Sequence, residues 1–161
     1  MNRLFFLSLL FFLGNTSEFF AQTEPLWDNT TKNKPSQELQ EVEIISSTDC
    51  KTQKAFVYKT KSKIRKPLIV SLHTWSGDYT QKDPLVNDVM ARDWNYIHPD
   101  FRGANNKPEA TCSTLVLSDI EDAIDFALKH TNADPQEVHI IGVSGGGLAT
   151  LYAYMNCLLY T

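Results

Sequence analysis

The stretch from Val138 to Met155, VHIIGVSGGGLATLYAYM, restricts the possible folds more than any other part of the chain. Val138 to Ile141 reads as a buried strand. Beyond the glycines, Leu148, Leu151, Tyr152 and Met155 recur at helical spacing. The chain must pass from strand to helix within a few residues, and only residues without side chains let the two elements approach that closely. Gly142-Val143-Ser144-Gly145-Gly146 fits G-x-S-x-G in this setting. Such a turn strains its central residue and lifts Ser144 Oγ to the top of the sheet. The Gly145 N–H and the helix N-terminus then lie where an anionic intermediate would form. A G-x-G-x-x-G nucleotide turn would need glycine where Ser144 stands, and a Walker loop would need Gly-Lys-Ser/Thr, which is absent. A purely structural glycine turn is the remaining alternative.

The preceding segments predict the sheet around this strand. Pro67–Trp75, PLIVSLHTW, is a continuous β-branched and apolar run, as in a strand covered on both faces. EVEIIS and KAFVYKT flank the polar STDCKTQ and predict a hairpin. DPLVNDVMARDW predicts a short helix opened by Asp83-Pro84, and WNYIHPDFRG a further strand running into a loop. Ser118 to His130 is expected to be helical. Ser118-x-x-Glu121 reads as a capping box, and Leu117, Ile120, Ile124 and Leu128 form one stripe. Lys129 and His130 suit the negative end of the helix dipole. Strands alternating with helices predict an α/β domain with a largely parallel sheet over residues 41–156.

The N-terminus has a different composition. Arg3 precedes the apolar run LFFLSLLFFL, and polar residues lead to Ala21, the arrangement of a secretory signal peptide over residues 1–21. The run is shorter than the roughly 20 residues a membrane span needs. A secreted or periplasmic protein, with no membrane attachment after cleavage, is therefore expected. Residues 22–40, polar and carrying Pro25 and Pro35, read as an extended arm. A net charge of -4 leaves no electrostatic footprint for nucleic acid. Export permits disulfides, and of three cysteines Cys50 and Cys112 are the candidate pair, with free buried thiols the alternative.

A second donor for the anion is expected from the loop after an earlier strand, where His73-Thr74-Trp75 ends the PLIVSL run. Thr74 or Trp75 supplies the N–H, and His73 shapes the loop. Trp75 either walls the substrate pocket or belongs to the core.

LIVSLHTWSGD, HPDFRG and DIEDAIDFAL ahead of VHIIGVSGGG, in this order, resemble the catalytic domain of the prolyl-oligopeptidase family of α/β-hydrolase serine peptidases. The likeness is greater to its short secreted, esterase-like relatives, and it extends over about Glu41 to Met155. The resemblance implies an α/β-hydrolase fold, Ser144 as acyl-forming nucleophile, a peptide or ester substrate, and neither metal nor cofactor. Arg102-Gly103 matches the family's Arg-Gly, with a structural role. Where many relatives carry His-Gly-Gly, this chain has His73-Thr74-Trp75. The β-propeller of the larger peptidases is expected to be missing, which leaves peptidase and carboxylesterase activity on acylated carbohydrate or small esters as alternatives. A non-catalytic binding or scaffold protein is the third.

In this fold the triad Asp/Glu and His follow the serine. No Asp, Glu or His follows Ser144 in this sequence. The expectation is an N-terminal portion of a hydrolase, inactive by itself. Residues 157–161, Cys-Leu-Leu-Tyr-Thr, end the helical pattern abruptly and resemble a translated sequencing-adapter end, so they are expected to be non-native.

Overall fold

The computed structural model describes residues 36–156. The expected signal peptide (1–21), most of the expected arm (22–40) and residues 157–161 lie outside them. Five strands form one mixed sheet in the order β1-β2-β4-β3-β5. β1 (Gln40–Ile45) and β2 (Thr52–Tyr58) are the expected hairpin, and β2 also pairs antiparallel with β4 (Asn95–Pro99). β3 (Lys66–Leu72) runs parallel to β4 on one side and to β5 (Ala133–Gly142) on the other.

Alternation along β3 sets the two layers, because successive side chains point to opposite faces. Leu68, Val70 and Leu72, with Ile97 of β4, pack against Val116, Ile120 and Ile124 of α2 (Thr114–His130) and Ala149 of α3 (Gly145–Asn156). Ile69 and Tyr96 face the other way, against Val89 of α1 (Leu85–Ala91). The chain leaves β3 through α1 to reach β4, then crosses back through α2 to β5 on the opposite side of β3. The carboxyl ends of β3 and β5 thus flank a switch point, the position where α/β sheets open a crevice. Ser144 follows β5 directly, and His73-Thr74-Trp75 follows β3.

The expectations for α2 are corrected. α2 starts four residues before Ser118. Its cap is Ser113, whose hydroxyl accepts from Val116 N–H at 3.2 Å. Ser118 is instead inside the helix, where its hydroxyl meets Ser47 Oγ at 3.0 Å and Thr48 Oγ1 at 2.6 Å, docking the β1–β2 turn. The buried stripe accordingly runs through Val116, Ile120, Ala123, Ile124 and Ala127, with Leu117 and Leu128 only half-buried. On α3 the apolar stripe faces outward: Leu151 is 62% and Met155 78% exposed, while Gly145, Gly146, Ala149 and Ala153 are buried. The helix lies so close to the end of β3 that only the smallest residues fit beneath it. β5, which reads as a buried strand from its sequence, has β3 as its one strand neighbour among the described residues, and most of it is partly or fully exposed.

Cys50 and Cys112, the candidate pair, are both free thiols. Asp49 takes the inward position of the β1–β2 turn against Arg102, which leaves the next residue, Cys50, exposed. Cys112 is half-buried ahead of α2, where burial raises its thiol pKa.

Arg102 ties the sheet edge to α2. Its guanidinium pairs both oxygens of Asp49 at 2.8 and 3.0 Å, and donates to Ser46 Oγ at 2.9 Å and Asp119 Oδ1 at 2.9 Å. Nε lies 2.6 Å from Asp119 Oδ2 in a charge contact without hydrogen-bond alignment. The guanidinium holds the Asp49 carboxyl well below the usual range. Burial pushes the Asp119 carboxyl up, and Arg102 opposes that rise. Replacing Arg102 by leucine strands a fully buried carboxylate, so Arg102→Leu should cost about 3–5 kcal/mol of stability, read from urea unfolding; a loss within 0.5 kcal/mol, about that of an ordinary surface change, would contradict this account.

Candidate active site

β5 ends at Gly142, and α3 begins at Gly145, so Ser144 sits in the turn between them. Its φ is 56°, in the left-handed region that L-residues avoid, and its side chain is exposed. A non-glycine residue held there costs about 1–3 kcal/mol and persists only where its surroundings fix it. They do so by crowding. A Cβ on Gly142 would lie 2.3 Å from the Gly146 carbonyl, and one on Gly146 would lie 2.3 Å from Leu72 O. A Cβ on Gly145 would lie 2.6 Å from Trp75 N and 2.7 Å from its Cα. The turn and the loop after β3 therefore meet backbone to backbone.

At the start of α3, Gly146 N–H goes to Val143 O at 3.0 Å and Leu148 N–H to Ser144 O at 3.0 Å. Among the described residues Gly145 N–H and Trp75 N–H donate no hydrogen bond, and Ser144 Oγ has no partner. Two unengaged donors next to the serine are what an oxyanion requires.

The structure separates the two loop candidates. Thr74 N–H donates to Gln81 Oε1 at 2.8 Å, and Thr74 Oγ1 donates to the same oxygen at 3.2 Å. Thr74 is thus corrected as a candidate donor: its N–H is taken, and its side chain is buried. Trp75 has its carbonyl fixed by Asn105 N–H at 2.8 Å and is 44% exposed, which removes it from the core. His73 is buried, stacked on Phe101 at 3.9 Å between centroids, with Nδ1 2.9 Å from Thr74 O and Nε2 2.8 Å from Asp100 O. Each ring nitrogen lies at hydrogen-bond distance from a carbonyl oxygen, of which a neutral ring donates to one; neither bonds Ser144, and the ring joins the β3 loop to the loop after β4. Phe101 and Arg102 in that loop have φ of 31° and 81°. Gln81 escaped the sequence reading because a side chain folding back on its own loop leaves no periodic signal, and Asn105 because it acts on Trp75 through its backbone N–H, which any residue carries.

The other histidines are elsewhere. His130 stacks on Phe126 at the end of α2, and His139 is exposed on β5. His98 is buried beneath the β3 loop with Nδ1 2.7 Å from Ser71 O, its Nε2 lacking a hydrogen bond of ordinary geometry. A cavity of about 300 Å³ lined by Phe56, Asp83, Tyr96 and His98 opens on this side and does not include Ser144, Gly145 or Trp75. Among the described residues no group of three His, Cys, Asp or Glu could hold a metal ion, and no helix is long and apolar enough to cross a membrane.

This architecture is the α/β-hydrolase fold. Solved structures that share it include the acylaminoacyl peptidase of Pyrococcus horikoshii, with a TM-score of 0.62 and 22% identity over 76% of this chain and 21% of that one. A puromycin-hydrolyzing peptidase of Mycobacterium tuberculosis gives 0.63 at 16% identity, over 77% of this chain and 22% of that one. The esterase Est22 gives 0.57 at 18% identity, over 71% and 37%. Among curated proteins, the uncharacterized protein YfhR of Salmonella typhi is 26% identical over 90 residues, 56% of this chain and 31% of that protein. The chain therefore spans about a third of this relative and about a fifth of the two peptidases. No protein-family model matches.

Two outcomes follow from the geometry. Ser144→Gly removes the left-handed penalty and should raise stability by up to about 1 kcal/mol, measured by urea unfolding; a loss would mean that the serine is not strained. Burial lowers the His98 pKa from 6.5 to about 4, with Asp83 opposing the shift and His73 adding to it. The unfolded chain then takes up this proton first as pH falls, so stability is full above about pH 6.5 and declines toward pH 4. His98→Gln should flatten that part of the pH profile; an unchanged slope would refute the assignment.

Proposed function

We propose that the chain carries the nucleophile half of an exported serine hydrolase that cleaves peptide or ester bonds through an acyl-enzyme. The observation that carries this reading is Ser144 at φ 56° between β5 and α3, with the Trp75 backbone packed against Gly145. A structural turn has no need of an exposed serine in a strained conformation, and strain of this kind concentrates at functional positions.

In this reading Ser144 Oγ attacks the carbonyl carbon and the oxygen takes up the charge. Gly145 N–H and Trp75 N–H stabilise it at the switch point between β3 and β5. Thr74 gives its N–H to Gln81 rather than to the oxyanion, and His73 and Arg102 hold loops in place. The base and its carboxylate are the parts of a triad this reading still requires: no His, Asp or Glu follows Ser144 in the sequence, and the rings of His73 and His98 are engaged with backbone carbonyls. The similarity to both peptidases and an esterase supports acyl transfer as the reaction class, on a peptide or an ester. Residues 1–21 direct export, and 22–40 form the arm that precedes the catalytic part, 41–156.

The test is to express the continuous reading frame of the gene and label it with a fluorophosphonate. Labelling at Ser144, abolished in Ser144→Ala, is expected, together with turnover of peptide anilides or p-nitrophenyl esters. An unlabelled Ser144 in the folded full-length protein refutes the reading. The 161-residue chain itself should not turn over p-nitrophenyl acetate above its Ser144→Ala control, since the general base is missing; serine-dependent multiple turnover would show that a base is present after all.

A further inference from the structure

We propose that Gln81 is the positioning residue of the anion pocket: by capturing the Thr74 N–H it turns the following peptide so that Trp75 N–H is the donor the loop presents to Gly145. The inference rests on the reading of Ser144 as nucleophile and deepens it. Gln81 is buried and lies seven residues after Thr74, yet its Oε1 reaches back to accept from both Thr74 N at 2.8 Å and Thr74 Oγ1 at 3.2 Å. The intervening chain is folded to permit this. Gly77 N–H closes on Thr74 O at 3.0 Å and Gln81 N–H on Asp78 O at 2.9 Å, making two consecutive tight turns. Gly77 leaves the space that Oε1 occupies, since a Cβ there would stand 2.0 Å from it.

Thr74 opens the tight turn that carries Trp75, so with Thr74 N–H committed to Gln81 the Trp75 N–H, whose nitrogen stands against Gly145, is the donor left to face the serine turn. Asn105 N–H on Trp75 O at 2.8 Å fixes the same residue from its other end. A loop with glycines after its histidine has fewer side chains to direct it. Here Thr74 and Trp75 occupy those places, and the Gln81 amide sets which of the two peptide N–H groups is presented.

Nuclear magnetic resonance of the ¹⁵N-labelled chain, with phenylphosphonate as the anionic probe, decides the matter. In the wild type Thr74 N–H should exchange with solvent more slowly than Trp75 N–H, and the probe should shift Trp75 and Gly145 while leaving Thr74 unmoved. Gln81→Leu should speed Thr74 exchange about tenfold, the loss of one buried hydrogen bond, and abolish the Trp75 response. Gly77→Ala, which displaces Oε1, should reproduce this. Gln81→Glu, which keeps an acceptor, should restore slow Thr74 exchange. If Gly145 responds alone, or if Thr74 responds with it, the role of Gln81 is overturned and the hydrolase reading stands. If neither Gly145 nor Trp75 responds, both are overturned. The wild-type comparison decides between these outcomes even should a variant fail to fold.

Discussion

The contact between two stretches of backbone, Leu72–Trp75 after β3 and Gly142–Gly146 after β5, governs the rest of the structure. Parallel pairing of β3 with β5 brings both ends to one edge of the sheet, and the crossings through α1 and α2 send the following segments to opposite faces. Neither segment can be moved independently, because Gly145 and Gly146 stand against the loop with no room for a methyl group. The left-handed φ of Ser144, the small buried face of α3 and the exposure of its larger apolar residues all follow from that closeness.

A contact so tight needs the loop to be rigid, and three chemically different restraints supply this. His73 joins the β3 loop to the loop after β4 through two carbonyls and a stacked ring. Gln81 closes the β3 loop upon itself, and Asn105 fixes Trp75 from outside. Arg102 anchors the second loop in turn to the hairpin and to α2, with Asp119 buried at the far end of the chain of contacts. The charges are used to hold position, and among the described residues the groups left open beside Ser144 are the main-chain N–H donors of Gly145 and Trp75.

Features set by local pattern were legible in the sequence. The β-branched run of β3, the hairpin and the strand–glycine–helix passage were read correctly because periodicity and glycine placement are written in consecutive residues. Errors arose where tertiary contact chose among locally acceptable options. Ser113 and Ser118 both suit a helix cap, and the docking of the β1–β2 turn onto Ser118 decides between them. The Leu148, Leu151 and Met155 stripe marks the helix without saying which face is buried, and the nearness of β3 admits only glycine and alanine beneath it. Thr74 and Trp75 were indistinguishable as donors until Gln81, distant in sequence from neither but periodic with nothing, was seen to engage one of them.

The glycines around Ser144 are blocked by main-chain atoms. A clash between side chains can be relieved by a second substitution elsewhere, but one with backbone cannot, so these positions have no compensating partner with which to drift. Ser144, which points outward, is under no such restriction from packing. A lineage that lost the reaction would give up its serine before its glycines. The glycine spacing is thus a durable record of how the chain is folded, and the residue held between the glycines is the separate and more easily erased record of what it does.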